Sequence, residues 1–195
     1  MEKTQRKRSS KKAVILANAA AMFKDKGYSA TSMRDLAEAV GIEAASLYNH
    51  IQSKSEILQE IVFKTATECN LHLEETDKPG ISALEKIEEI IRFHVHMMLK
   101  NFDAYHVMTH EWIHLSEPWL SNFVNTRRHY VQRLEAIVQE GISKKEMKTV
   151  VPYVAVLTIL SAVRGLEFWH RSRKKYSPQE MEDNMVLHLI SGLKA

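Results

Sequence analysis

Between Ser32 and Lys54 the sequence SMRDLAEAVGIEAASLYNHIQSK admits little besides two short helices joined by a tight turn. Ser32 is placed to N-cap the first helix, with Asp35 three residues on as an acidic variant of the capping box. Leu36, Ala37 and Val40 then fall on one face at helical spacing. Gly41 supplies the positive φ at which a helix ends without a Cβ penalty. Ile42 plugs the turn, and Ala45 and Leu47 continue the second helix. Two small helices crossing steeply through such a turn form a helix-turn-helix, whose second member fits the major groove of DNA.

The longer run GYSATSMRDLAEAVGIEAASLYNHIQSKSEIL, from Gly27 to Leu58, resembles the DNA-binding domain of tetracycline-repressor family regulators. The shared skeleton is Gly27-Tyr28, Thr31-Ser32, Leu36-Ala37, Gly41-Ile42, Leu47-Tyr48, His50, Ser53-Lys54 and Leu58. Ala45 sits where a glycine or proline is common, and Ile51 replaces the usual phenylalanine. Both replacements are apolar and bear on local packing rather than on the motif. The resemblance implies an all-α fold with two parts. An N-terminal three-helix helix-turn-helix domain would occupy residues 1–55, and a C-terminal helical effector-binding and dimerisation domain residues 56–195. It further implies a homodimeric, ligand-responsive transcriptional regulator, a repressor, on a roughly palindromic double-stranded DNA operator.

Charge supports this by its location. Through Glu60 there are ten Lys/Arg against seven Asp/Glu, and after it seventeen against seventeen, so the whole excess of +3 lies at the N-terminus. Lys3, Arg6, Lys7, Arg8, Lys11 and Lys12 precede a first helix expected from about Ser9, which makes them a candidate arm on phosphates or in the minor groove. No apolar run is long enough for a transmembrane helix, and the basic N-terminus lacks the apolar core of a signal peptide. Cys69 is the one cysteine, which excludes an intrachain disulfide and fits a reducing, cytoplasmic location without membrane partners.

Four prolines, six glycines and no strand-like alternation point to helix almost throughout. The first helix should stop at Gly27, and Ser53 with Glu56 should cap a long one. Asp77-Lys78-Pro79-Gly80 reads as a loop. Further helices are expected over about Ser82–Lys100, Asp103–Ser116, Pro118–Gly141, Val151–His170 and from Ser177-Pro178 to Leu193. Arg171-Ser172-Arg173-Lys174-Lys175 reads as a solvated loop. The last two long helices carry Val154, Leu157, Leu160 and Val163, then Met185, Val186, Leu189 and Ile190. The family resemblance assigns them to a dimer interface.

Carried over position by position, the resemblance implies that Ser32, Tyr48, His50 and Lys54 anchor phosphates, and that Arg34, Ala44, Ser46 and Asn49 meet base edges. The chemistry agrees: Arg34 suits guanine, Asn49 adenine, and Ala44 a thymine methyl group. Lys54 lies in the first turn of its helix, where backbone N–H groups also favour an anion.

The C-terminal half has no motif of that strength. Phe93, Met97, Phe102, Tyr105, Met108, Trp112, Phe123 and Tyr130 are candidate linings of an effector pocket, since methionine and aromatic side chains adapt to irregular apolar ligands. The segments HEWIHLSEPWLSNFVNTRRHYVQRLEAIVQEGI and VRGLEFWHRSRKKYSPQEM resemble a branch of the family that regulates fatty-acid and steroid metabolism, whose ligands are often acyl-CoA thioesters. Arg127, with Arg128 and Arg133, then becomes a candidate for a phosphate or carboxylate head group.

One motif points elsewhere. His110-Glu111-Trp112-Ile113-His114 is H-E-x-x-H on an expected helix, and His106 extends the row by a turn. Its alternatives are a metal-responsive regulator, with His106, His110 and His114 as ligands, or a zinc hydrolase with Glu111 as general base. Behind a DNA reader the chain is expected to bind rather than cut, with no enzyme activity and no cofactor.

Overall fold

The computed structural model describes the backbone of residues 2–171 and 176–195, and the side chains of residues 11–169 and 176–195. The side chains of Lys3, Arg6, Lys7 and Arg8, and residues 172–175 of the loop expected at Arg171–Lys175, lie outside the described residues; the backbone of Arg171 ends a helix. The helices run α1 Glu2–Lys26, α2 Met33–Val40, α3 Ala44–Tyr48, α4 Lys54–Thr76, α5 Ala83–Lys100 and α6 Phe102–His110. A 3-10 helix, Glu111–His114, follows, and then α7 Trp119–Ser143, α8 Pro152–Arg164, α9 Glu167–Arg171 and α10 Pro178–Leu193. Among the described residues there is no strand, and no helix is long and apolar enough to cross a membrane.

Three helix starts are written in the sequence as capping boxes. Ser32 with Asp35, Ser82 with Glu85, and Ser177 with Glu180 each exchange side-chain and backbone bonds in both directions. At Ser53 the hydroxyl accepts from Glu56 N–H at 3.1 Å, and Glu56 reaches back to the Gln52 N–H at 2.7 Å. Pro152 and Pro178 take first-turn positions, where a missing N–H costs nothing.

Three expected spans differ. The first helix extends back to Glu2 instead of starting near Ser9, because the Glu, Lys, Arg and Gln residues there favour helix and no Gly or Pro interrupts them. The backbone of the basic block is therefore helical. Lys12, counted in that arm, pairs with Glu60 and with Glu56 on α4. The expected helix over Val151–His170 is broken into α8 and α9 around Gly165, where i→i+3 bonds such as Leu166 N–H to Val163 C=O (3.0 Å) replace the α-helical ladder. The expected helix over Asp103–Ser116 leaves α-geometry after His110. The Thr109 hydroxyl bonds back to the Tyr105 and His106 carbonyls at 3.0 and 3.1 Å, a local competition that loosens a helix end.

The chain divides into two compact units, Met1–Ala66 with Asp103–Val124, and Thr67–Phe102 with Asn125–Ala195. The first is built on Ile15, Ala19, Phe23, Leu36, Leu47, Ile51, Ile57, Leu58 and Ile61, and Val107, Leu115 and Phe123 belong to the same core. In the second, α10 and α8 pack on α5, with Ile87, Ile91, Val95, Val156, Val163 and Val186 buried. Cys69 is buried, and burial pushes its thiol up to about 12. Lys86, also buried, donates to Asp77 Oδ1 at 2.9 Å and lies 3.6 Å from Glu140.

Candidate nucleic-acid interface

The turn between α2 and α3 follows from Gly41. At φ +71° it ends α2 in a full Schellman arrangement, with Gly41 N–H to Glu38 C=O (3.0 Å) and Ile42 N–H to Ala37 C=O (3.0 Å). No open space is lacking there for a side chain, so the positive φ is what requires glycine. Leu36, Ala37 and Leu47 are buried beneath the two helices. Ala44 and Tyr48, four residues apart and hence on one face of α3, are exposed, Tyr48 to 53%. Asn49 just beyond α3 and Arg34 on α2 are exposed too, whereas Ser46 and His50 are half-buried.

Two of the expected phosphate anchors have structural duties. The Ser32 hydroxyl accepts from Asp35 N–H at 3.1 Å and donates to Asp35 Oδ2 at 2.7 Å. These contacts with Ser32 hold the Asp35 carboxyl below its ordinary range. Lys54 Nζ donates to the Tyr28 and Thr31 carbonyls at 2.9 and 2.7 Å and sits 4.3 Å from the Tyr28 ring centroid. Of the three donors of an ammonium, these bonds occupy two.

The H-E-x-x-H row does not keep the geometry its spacing suggested. His106 and His110 stack, with ring centroids 4.2 Å apart. The 3-10 turn carries His114 away to the Tyr28 ring, at 5.3 Å and 22° between planes. Glu111 Oε2 accepts the Tyr28 N–H at 3.2 Å and lies 3.5 Å from His114 Nε2. The motif's glutamate and second histidine thus serve the turn after α1, and the reason is the change from 3.6 to three residues per turn.

The expected pocket residues fall in both units. Tyr105, Met108, Trp112 and Phe123 belong to the first, where Trp112 and Phe123 lie 5.7 Å apart. Phe93, Met97, Phe102, Arg127 and Tyr130 belong to the second. Of the arginines, Arg127 and Arg128 are exposed, and Arg133 pairs with Asp77 at 3.3 Å. Sequence reading missed His72 and, for His94, the contact it makes. His72 stacks on Phe93 at 4.0 Å, and His94 meets the Tyr130 hydroxyl at 2.7 Å. Their spacing to Phe93 and Tyr130 across separate helices gave no local signal.

The profile of the tetR family of bacterial regulatory proteins matches residues 15–61, and that of the tetracyclin repressor-like C-terminal domain matches residues 80–193. The HTH-type transcriptional repressor KstR2 of Mycolicibacterium smegmatis is 27% identical over 190 residues, 95% of this chain and 91% of that protein. In structure, the chain is similar to the ketosteroid transcriptional regulator KstR2 of Mycobacterium tuberculosis, with a TM-score of 0.87 at 19% identity over 94% of this chain and 95% of that one. It is also similar to AibR in complex with isovaleryl coenzyme A and operator DNA, with a TM-score of 0.81 at 22% identity over 92% and 98% of the two chains. At these identities the structural likeness is one of fold, and the C-terminal profile alone spans more than half of the sequence. The chain belongs to the tetracycline-repressor family and is a helix-turn-helix, DNA-binding transcriptional regulator.

Proposed function

We propose that the chain is a cytoplasmic, homodimeric repressor that leaves its operator when a hydrophobic small molecule binds. Residues 1–55 read the DNA, and residues 56–195 take the effector and the second copy. The observation that carries the reading is the face of α3, which exposes Ala44 and Tyr48 while Leu47 anchors it. Tyr48, His50, Ser32 and Lys54 are assigned to phosphates, and Arg34, Ala44, Ser46 and Asn49 to base edges. A single α3 meets too few base pairs to pick out a site, so two copies are required. Val154 and Leu157 on α8 and Leu187 on α10, exposed to 53, 46 and 60%, supply an apolar surface for the second copy.

For the effector, the aromatic and methionine residues Phe93, Met97, Phe102, Tyr105, Met108, Trp112, Phe123 and Tyr130 favour an apolar body. Arg127 favours an anionic head. An acyl-CoA thioester has both, and isovaleryl coenzyme A is the ligand named for AibR. Bound effector shifts the population toward a spacing of the two reading helices that no longer matches successive major grooves.

Native mass spectrometry of the purified protein tests the reading without a guess at operator or ligand. A dimer carrying an organic mass in the acyl-CoA range supports it. A dimer carrying only a divalent metal, lost in His110→Ala, transfers the response to His106 and His110. A monomer with no salt-dependent affinity for duplex DNA sinks it.

A further inference from the structure

Glu111 and His114 have no part in the reading above, yet their side chains close on one residue of the DNA-reading unit. Helix α1 ends at Gly27 (φ +85°) through one bond, Gly27 N–H to Phe23 C=O at 2.9 Å. This left-handed cap leaves the next N–H, that of Tyr28, without a place in the helix's own pattern. Glu111 Oε2 accepts it at 3.2 Å. The Tyr28 ring is held on several sides: His114 stacks at 5.3 Å, Phe23 meets it edge-on at 5.2 Å, and Lys54 Nζ lies 4.3 Å from its centroid.

The 3-10 turn is what makes this contact feasible. At three residues per turn, positions i and i+3 eclipse, so Glu111 and His114 point to the same side and reach the same residue. In a continuous α-helix His110 and His114 would share a face instead. The Glu111 side chain is only 16% exposed. A carboxylate so far out of water needs donors, and the Tyr28 N–H is one, in a charge-assisted bond.

We infer that Glu111 and His114 are positioning residues for DNA binding. Through Tyr28 they fix the Gly27–Thr31 turn, which leads directly into the Ser32 cap of α2 and so into the helix-turn-helix. The inference rests on the DNA-binding reading above and deepens it.

The test begins with the wild-type protein selecting a duplex from a random-sequence pool. Failure to select any duplex sinks the DNA-binding reading itself; amide exchange at Tyr28 then still judges the contact. For the selected duplex, Glu111→Ala is expected to weaken binding about tenfold and to speed exchange of the Tyr28 amide hydrogen by a similar factor, with the oligomeric mass unchanged. Glu111→Gln keeps an acceptor oxygen and recovers most of both losses. His114→Phe keeps the stacked ring and binds more tightly than His114→Ala. Should Glu111→Ala fail to fold, His114→Ala carries the test, because it removes the stack and leaves the Tyr28 hydrogen bond in place. Wild-type affinity in a folded Glu111→Ala, or in His114→Ala, overturns the inference, as does wild-type exchange at Tyr28 in Glu111→Ala.

Discussion

His94 and Tyr130 meet inside the second unit, the imidazole Nε2 2.7 Å from the phenol oxygen and the two rings at 87°. His94 is 3% exposed. Burial, with a smaller contribution from the nearby His72, pushes its pKa down to about 4. Between about 4 and the ordinary value of 6.5, the unfolded chain therefore binds a proton that the folded chain refuses. The stability this residue permits is complete above about 6.5 and is lost as pH falls toward 4, by up to about 3 kcal/mol. Urea unfolding at pH 7 and pH 4.5 checks it: the midpoint should fall more in the wild type than in His94→Gln. Equal falls would mean that His94 is protonated as readily in the folded protein as outside it.

Lys54 and Tyr48 should separate on folding. Lys54→Ala leaves the Tyr28 and Thr31 carbonyls without their charged donor and should cost about 1–3 kcal/mol. Tyr48→Phe removes an exposed hydroxyl and should leave the thermal midpoint within about a degree or two while weakening all DNA sequences alike. Asn49→Ala and Arg34→Ala should instead relax base preference by roughly 1–3 kcal/mol at the base each one reads. Calorimetry alongside duplex titrations at two salt concentrations distinguishes the three behaviours.

Asp77 joins two cations, Lys86 Nζ at 2.9 Å and Arg133 at 3.3 Å. Asp77→Asn leaves Lys86 buried, with the Glu140 carboxylate still 3.6 Å away. The cost should be roughly 2 kcal/mol, below that of a fully orphaned buried charge because Glu140 stays. The cations hold the Asp77 carboxyl below its ordinary range. Its contribution is thus present above the unfolded carboxyl's pKa and lost as pH falls through the lower folded one. Denaturant titration of Asp77→Asn should show a reduced midpoint at pH 7 and a smaller difference from wild type in acid.

Leu157→Glu and Leu187→Glu each place a charge on the apolar surface of α8 and α10. Either should turn the proposed dimer into a monomer by light scattering and abolish high-affinity operator binding, with helicity retained. A Leu157→Glu protein that remains dimeric at micromolar concentration would move the interface off α8.

The parts legible in the sequence were those governed by short-range chemistry. Ser32 with Asp35, Ser82, Ser177-Pro178, Pro152 and Gly41 each act on the backbone within five residues, so their helix boundaries were readable without a fold. The end of α6 was not. Whether His110–His114 continues as α-helix depends on local competition from Thr109 and on Tyr28, 83 residues away from Glu111. The same holds at the candidate site. The outward place of Tyr48 and the core place of Leu47 were readable through the family resemblance, whereas the engagement of Lys54 with two carbonyls, and the contact of His94 with Tyr130, are long-range facts.

Cys69 has a consequence for what kind of signal this regulator hears. Its thiol is enclosed among helix side chains and held protonated at any physiological pH. It is the thiolate that attacks a peroxide oxygen or a disulfide sulfur, so such reagents meet no nucleophile here. A silent native thiol also leaves the chain free for cysteines introduced on α3 to be labelled one at a time. In the proposed dimer, the distance between the two reading helices then becomes a quantity that can be followed as candidate effectors are added.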